Sequence, residues 1–415
     1  MNSPAASNPY AAVRVRDFRL FIMARLFITL AVTIQAVVVG WQVYQMTKDP
    51  LSLGLIGLAE AIPAIGVSLY AGHLADVIER KKIILICVVT LALCSISLFF
   101  FTLDAGAFFL QYGAVAIYAV IFISGIARGF LSPANFSFMP QLISRELYQN
   151  AITWNSTIWE GAALGGPMIG GLIIKVYGIT AAYGVDAALT IAALLCYFLI
   201  PNRPLPPASD EHQEIWKKIK TGIRFVFSNQ IILGAITLDL FAVLFGGAVA
   251  LLPIFASEIL RVGESGFGLL RSAPSIGAIL MAFYVTHYPI RKNMGKKLLW
   301  CVAGFGLCMI GFGLSTSFWL SMTLLVLSGA FDCVSVIARS TLIHTLTPEN
   351  MKGRVSAVNS IFVGSSNEIG AFESGVAARL LGTVRSVILG GVMTLAVVSV
   401  TAWRAVKLRR LNNLD

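Results

Sequence analysis

Apolar positions in this chain run in long blocks. They show neither the strict alternation of a strand nor the one-sided stripe of a surface helix. Blocks of about 20 residues or more lie at roughly 18–45, 51–74, 83–102, 109–131, 149–174, 180–200, 230–257, 264–287, 297–316, 318–343, 354–382 and 384–406. Each is long enough to cross a hydrocarbon layer about 30 Å thick at a helical rise of about 1.5 Å per residue. The pattern predicts an all-α membrane protein of twelve transmembrane helices. The longest polar interval, 201–229, splits them six and six. It sets off an N-terminal tail (1–17), an N-terminal half (18–200), the linker itself, a C-terminal half (230–406) and a C-terminal tail (407–415).

The linker opens with Pro201, Pro204, Pro206 and Pro207, a non-helical start. Beyond it, Ile215, Ile219, Ile223 and Val226 recur at helical spacing beside Lys217, Lys218, Lys220 and Arg224. That spacing predicts an amphipathic helix on the inner membrane surface.

Composition sharpens the class. The chain is 57% hydrophobic and 12% charged, where a soluble domain carries about 25% charge. A net charge of +11 invites a nucleic-acid reading, but its placement argues otherwise. With both termini in the cytoplasm, about 22 of the 31 cations fall on the cytoplasmic side, about five outside and four within spans. That asymmetry is the one the positive-inside rule expects. The first 17 residues lack an apolar signal-peptide core, so the first span is expected to direct insertion. All six cysteines sit in apolar runs without metal or redox spacing, and the four histidines are scattered. Neither a cofactor nor a metal is expected.

Charges inside spans carry the most information. They are Arg25, Glu60, Arg128, Glu160, Asp186, Asp239, Arg271, Asp332, Arg339, Glu368 and Glu373. Facing lipid at about 3 kcal/mol each, they would outweigh the net stability of a fold. Most must therefore line a wet cavity or pair with one another. Asp239 and Glu368 fall near mid-membrane, as proton carriers or as anchors for a cationic group. Glu60 and Glu373 lie in the outer half of their spans and Arg25 in the inner half of span one, and all three join the same candidate cavity. Arg128 and Arg339 occupy matching places near the inner ends of spans four and ten, which suits gate or interlobe pairing. Asp332 shares a helical face with Arg339 but lies about 10 Å away, too far for a direct pair. For Asp186 and Glu160, structural and functional roles stay open.

The halves look related. The loop 140–150 leads into Asn155-Ser156, and about 200 residues later the loop 346–354 leads into Asn359-Ser360. A parallel repeat of this kind implies a substrate path between the halves.

Two motifs add specificity. Between spans two and three stands Gly72-His-Leu-Ala-Asp-Val-Ile-Glu-Arg-Lys-Lys82, and span five carries Gly166-Pro-Met-Ile-Gly-Gly171. The first resembles the signature loop of the major facilitator superfamily through Gly72, Leu74, Ala75, Asp76, Arg80 and Lys81, with Glu79 in place of the usual Gly. The second is similar to the antiporter motif of its export branches, with Ala162 where the longer form has Gly. Its Pro167 is expected to bend the span, and Gly166, Gly170 and Gly171 to pack it closely. Val39–Tyr44, Arg128–Ala134, Leu238–Gly247, Leu270–Pro274 and Ser366–Gly375 resemble blocks of the enterobactin-exporter-like branch.

The resemblance implies a twelve-helix carrier that exports a siderophore or amphiphilic drug by alternating access, driven by proton entry. It also implies that the 72–82 loop locks one conformation, with Asp76 against the start of span eleven. The expected partners are a small-molecule substrate, protons and the lipid bilayer of a bacterial inner membrane, with no nucleic acid and a monomeric state. An uptake carrier, a lysolipid flippase or an assembly factor on the same scaffold are the competing readings. An enzyme is not: the chain has no phosphate-binding glycine loop, no metal cluster and no Ser/His/Asp arrangement.

Overall fold

The computed structural model describes residues 9–103, 111, 113–203, 215–246, 248–288, 293–348 and 351–409. Among them every regular element is helical and there is no strand. After a single turn at Ala11–Arg14, the long helices are α1 (Arg16–Thr47), α2 (Pro50–Val77), α3 (Arg80–Phe101), α4 (Val115–Phe138), α5 (Tyr148–Phe198) and α6 (Ile215–Ser228). They continue as α7 (Gln230–Phe245), α8 (Gly263–His287), α9 (Met294–Leu314), α10 (Phe318–Leu346), α11 (Lys352–Leu381) and α12 (Thr383–Arg404). Ten helical stretches among the described residues are long and apolar enough to cross a membrane.

Local chemistry explains where the helices stop and bend. Lys48 closes α1 in the left-handed conformation (φ 50°), its N–H bonding to the Tyr44 carbonyl. Helix α5 covers both limbs expected as spans five and six, and Gly178 is its one residue with non-helical angles. Its φ of 84° is costly for any residue with a side chain. Gly178 falls in the interval expected to join those two spans, and Pro167 lies inside the first limb. Helix α4 likewise passes through Pro133 to Phe138, beyond the expected end near 131.

Span seven is a clearer departure. It was expected to be continuous over 230–257, but α7 ends at Phe245. A 3₁₀ turn (Ala248–Leu251), one α turn (Leu252–Ile254) and a π turn (Phe255–Ile259) follow. The start of α7 is firmly set, with the Asn229 side chain accepting from the N–H groups of Ile231 and Ile232.

The chain forms two compact units: Met1–Lys48 with Ala59–Ser209 and Gly263–Gly268, and Asp49–Leu58 with Asp210–Val262 and Leu269–Asp415. In the first, α1 packs along α5, and α3 packs on α4 and α5. Its core gathers Phe18, Phe21, Ile84, Leu131, Phe138 and Tyr197, all buried. In the second, α9 packs on α10 and α12, and α11 on α7. The linker helix α6 belongs to this unit. Its Val226 is buried against Ile232, Ile236, Ile343, Val355 and Val358, while Ile223 stays exposed.

Candidate functional site

In the first unit, the part of α2 from Ala59 onward meets α4 where small residues let it. A side chain at Gly125 would begin 2.5 Å from the carbonyl oxygen of Glu60, so only glycine permits the approach. One turn on, Arg128 forms an ion pair with Glu60, and both are partly exposed. The pairing joins a residue expected in the cavity to one expected at a gate. Arg25 on α1 donates from Nε to Asn155 Oδ1 of α5 at 3.3 Å.

The signature loop is anchored by its cations. Arg80 donates to the Ser137 carbonyl at 3.2 Å. Lys81, buried to 9% exposure, donates to the Phe198 carbonyl at 3.1 Å and to that of Ile200. A cation here meets the unsatisfied carbonyls and the negative end of α5. Gly72 and Asp76 lie outside the residues whose side chains are described.

The span-five motif packs as tightly as its composition predicts. A side chain at Gly166 would collide with Thr33 of α1, and Gly170 lies against Ile34. Gly171 and the Pro167 carbonyl touch the first turn of α8 at Glu264 and Gly268. Pro167 itself is buried within the helix.

The second unit holds the most deeply buried ion pair among the described residues. Asp239 of α7 and Arg339 of α10 are each 4% exposed and form an ion pair. Sequence spacing offered Arg339 only Asp332, seven residues earlier on the same helix; its actual partner lies 100 positions away. Asp332 is half-buried.

Glu368 on α11 lies against the first turns of α2, which belong to the same unit, its carboxylate 3.4 Å from where a side chain at Gly57 would begin. It also interacts electrostatically with Arg271 of α8. The sequence marks Arg271 as a charge within a span but not as a site residue. Glu373 is half-buried. Its neighbour Ser374 lines a small pocket at the Gly246 break with Phe245, Ala248, Met309, Ser386 and Val387. The structure therefore gathers Glu60 with Arg128, Asp239 with Arg339, and Glu368 with Arg271. Among the described residues no group of three or more His, Cys, Asp or Glu could hold a metal ion.

The chain matches the family described as transmembrane secretion effector over residues 7–415. It is 28% identical over 395 residues to the enterobactin exporter EntS of Escherichia coli O1:K1, covering 95% of this chain and 92% of the relative. The enterobactin exporter EntS of Shigella boydii serotype 18 matches at the same identity and coverage. Among solved structures, a POT family transporter in complex with 5-aminolevulinic acid superposes with a TM-score of 0.74 at 12% identity, over 95% of this chain and 96% of that one. A bacterial homologue of the iron transporter ferroportin does so with a TM-score of 0.71 at 15% identity, over 95% and 99%. At these identities the structures speak to the fold alone. The sequence matches speak to the class, one of transporters and not enzymes. Carried by a family match spanning almost its whole length and by a fold shared with such carriers, the chain belongs to the transmembrane secretion effector family of major facilitator transporters.

Proposed function

We propose that this transporter is a proton-coupled exporter of a siderophore, or of another amphiphilic drug-like small molecule, in a bacterial inner membrane. The observation that carries the proposal is the 28% identity to an enterobactin exporter over 95% of the chain. In this reading twelve spans form two six-helix halves with both termini cytoplasmic. The ten most apolar stretches become twelve crossings when α5 is counted as two limbs and the polar α11 is added. The carrier works by alternating access, and the protein acts as a monomer.

The ion pairs suggest how a proton does work. Held by Arg339, Asp239 keeps its charge in a dry setting, because the guanidinium offsets the desolvation of the carboxylate. A proton arriving from outside neutralises Asp239 and leaves Arg339 without its counter-charge. That favours a conformation in which the guanidinium meets water or an anionic substrate group. Glu368 and Arg271 repeat this arrangement nearer to α2, and Glu373, Glu60 and Arg25 modulate occupancy. Gly72, Asp76, Arg80, Lys81, Arg128, Asp332 and Arg339 serve the gates, while Gly166, Pro167, Gly170 and Gly171 keep α5 packed. One charge moving down 100 mV yields about 2.3 kcal/mol, roughly a fiftyfold concentration ratio, which suffices for export.

Inverted membrane vesicles carrying the full chain test the proposal with enterobactin as probe. An imposed inward-acid gradient should drive uptake, and Asp239→Asn and Glu368→Gln should each lose most of it. Full coupled transport in both variants would sink the residue assignment. Expression that raises enterobactin inside intact cells would sink export.

A further inference from the structure

One buried acid is not used by this scheme. Asp186 lies on the second limb of α5, eight residues past the Gly178 bend and so about 12 Å along the helix. It is 1% exposed. The Gln35 side chain of α1 donates from Nε2 to Asp186 Oδ2 at 3.0 Å and approaches Ser95 Oγ of α3 at 3.4 Å. The Ser95 hydroxyl is also within hydrogen-bonding reach of the carboxyl. Two turns along α1, Gln42 accepts from the Tyr183 hydroxyl at 2.6 Å. The α1–α5 interface is thus a polar ladder, with Gln35 and Gln42 on one rail and Asp186 and Tyr183 on the other.

What faces Asp186 decides its chemistry. From α3 come Ser95 and Cys94, from α1 Gln35, and from its own helix Tyr183 and Thr190. Among the described residues no lysine, arginine or histidine pairs with it. A carboxylate taken out of water with only neutral donors around it is far costlier than one facing a guanidinium. A neutral carboxyl in the same cage is well served, accepting from the Gln35 amide and free to donate its own proton.

We propose that Asp186 is a proton-binding site of the first unit, separate from the Asp239–Arg339 pair. It holds a proton in this conformation and passes it to water when the Gln35–Ser95 cage is wetted during the transport cycle. The O–H bond breaks, the proton leaves as hydronium, and the carboxylate remains until it is protonated again. The inference rests on the proton-driven reading above and deepens it by naming a second coupling group.

Infrared spectroscopy of the full chain in proteoliposomes, paired with the vesicle assay, tests it. A protonated-carboxyl band present in wild type at neutral pH should vanish in Asp186→Asn, whose amide reproduces the neutral acid's shape. Per coupled proton, a one-unit pH difference supports about a tenfold substrate ratio. Proton-driven enterobactin accumulation in Asp186→Asn should therefore fall about tenfold per unit of pH difference, and more steeply than exchange of labelled enterobactin at equilibrium. Its thermal unfolding midpoint, read in parallel, should stay near wild type. An unchanged band overturns the proposal. So does a lost band with full accumulation, which would make the proton a fixed structural one. Absence of proton-driven accumulation in wild type would instead defeat the proton-driven reading and this inference together.

Discussion

Asp186 and Asp239 are buried to nearly the same degree, 1% and 4% exposed, yet their surroundings have little in common. In the first unit an amide and a hydroxyl hold the acid; in the second a guanidinium does. Burial alone therefore does not say what a membrane-embedded carboxyl is doing. Its partner does. Neutral donors favour a carboxyl that keeps its proton, and a cation favours one that keeps its charge until something displaces the partner. On the proposed mechanism, one of each gives the protein two chemically distinct ways to bind a proton.

The contrast can be broken most forcefully in the second unit. Arg339→Gln strands Asp239, and Asp239→Asn strands Arg339; each should cost about 3–5 kcal/mol. The double variant should recover much of that loss, as read by thermal or denaturant unfolding in detergent. Singles as stable as wild type would mean that the pair is not the second unit's anchor.

The first unit should fail through packing instead. Gly166→Val forces a side chain into Thr33, and overpacking of this kind costs about 1–3 kcal/mol. Thr33→Ala removes the nearer Oγ1 but keeps Cβ, so it should relieve part of that cost when the two are combined and unfolding is measured again.

Glu60→Gln breaks an ion pair that is partly exposed. Its stability effect should stay within about 1 kcal/mol, well below that of Asp239→Asn. A larger effect would mean that water does not reach the α2–α4 contact.

Lys81→Met removes donors from two carbonyls at the end of α5. It should lower stability by about 1 kcal/mol and speed backbone hydrogen exchange at Phe198–Ile200. Smallest of all, Asp186→Asn should barely move the unfolding midpoint, because it preserves the neutral cage.

Much of this was legible in the sequence, for identifiable reasons. Runs of about 20 apolar residues are dictated by bilayer thickness, so the helices announce themselves. The intramembrane charges stand out because they are costly, and Gly166 and Gly171 because few other residues let backbones touch. Three features were not legible. Residues 230–257 are apolar apart from Gln230, Thr237, Asp239 and Ser257, so hydropathy runs on through the break at Gly246. The Asp239–Arg339 pair joins positions 100 residues apart, and local spacing offers only Asp332. The partners of Asp186 come from α1 and α3, though Gln35 and Gln42, seven apart in an apolar span, were a usable signal. Helix α11 shows the reverse: Lys352, Arg354, Glu368, Glu373 and Arg379 make it the least lipid-like of the expected spans in the second unit.

The central claim is that protons entering through these buried acids drive export. Its most direct test records internal pH and enterobactin uptake together in inverted vesicles. In wild type, uptake should dissipate the imposed pH gradient in step with enterobactin entry, and Asp239→Asn and Asp186→Asn should each weaken that coupling. Enterobactin entry that leaves the pH gradient untouched would contradict the account.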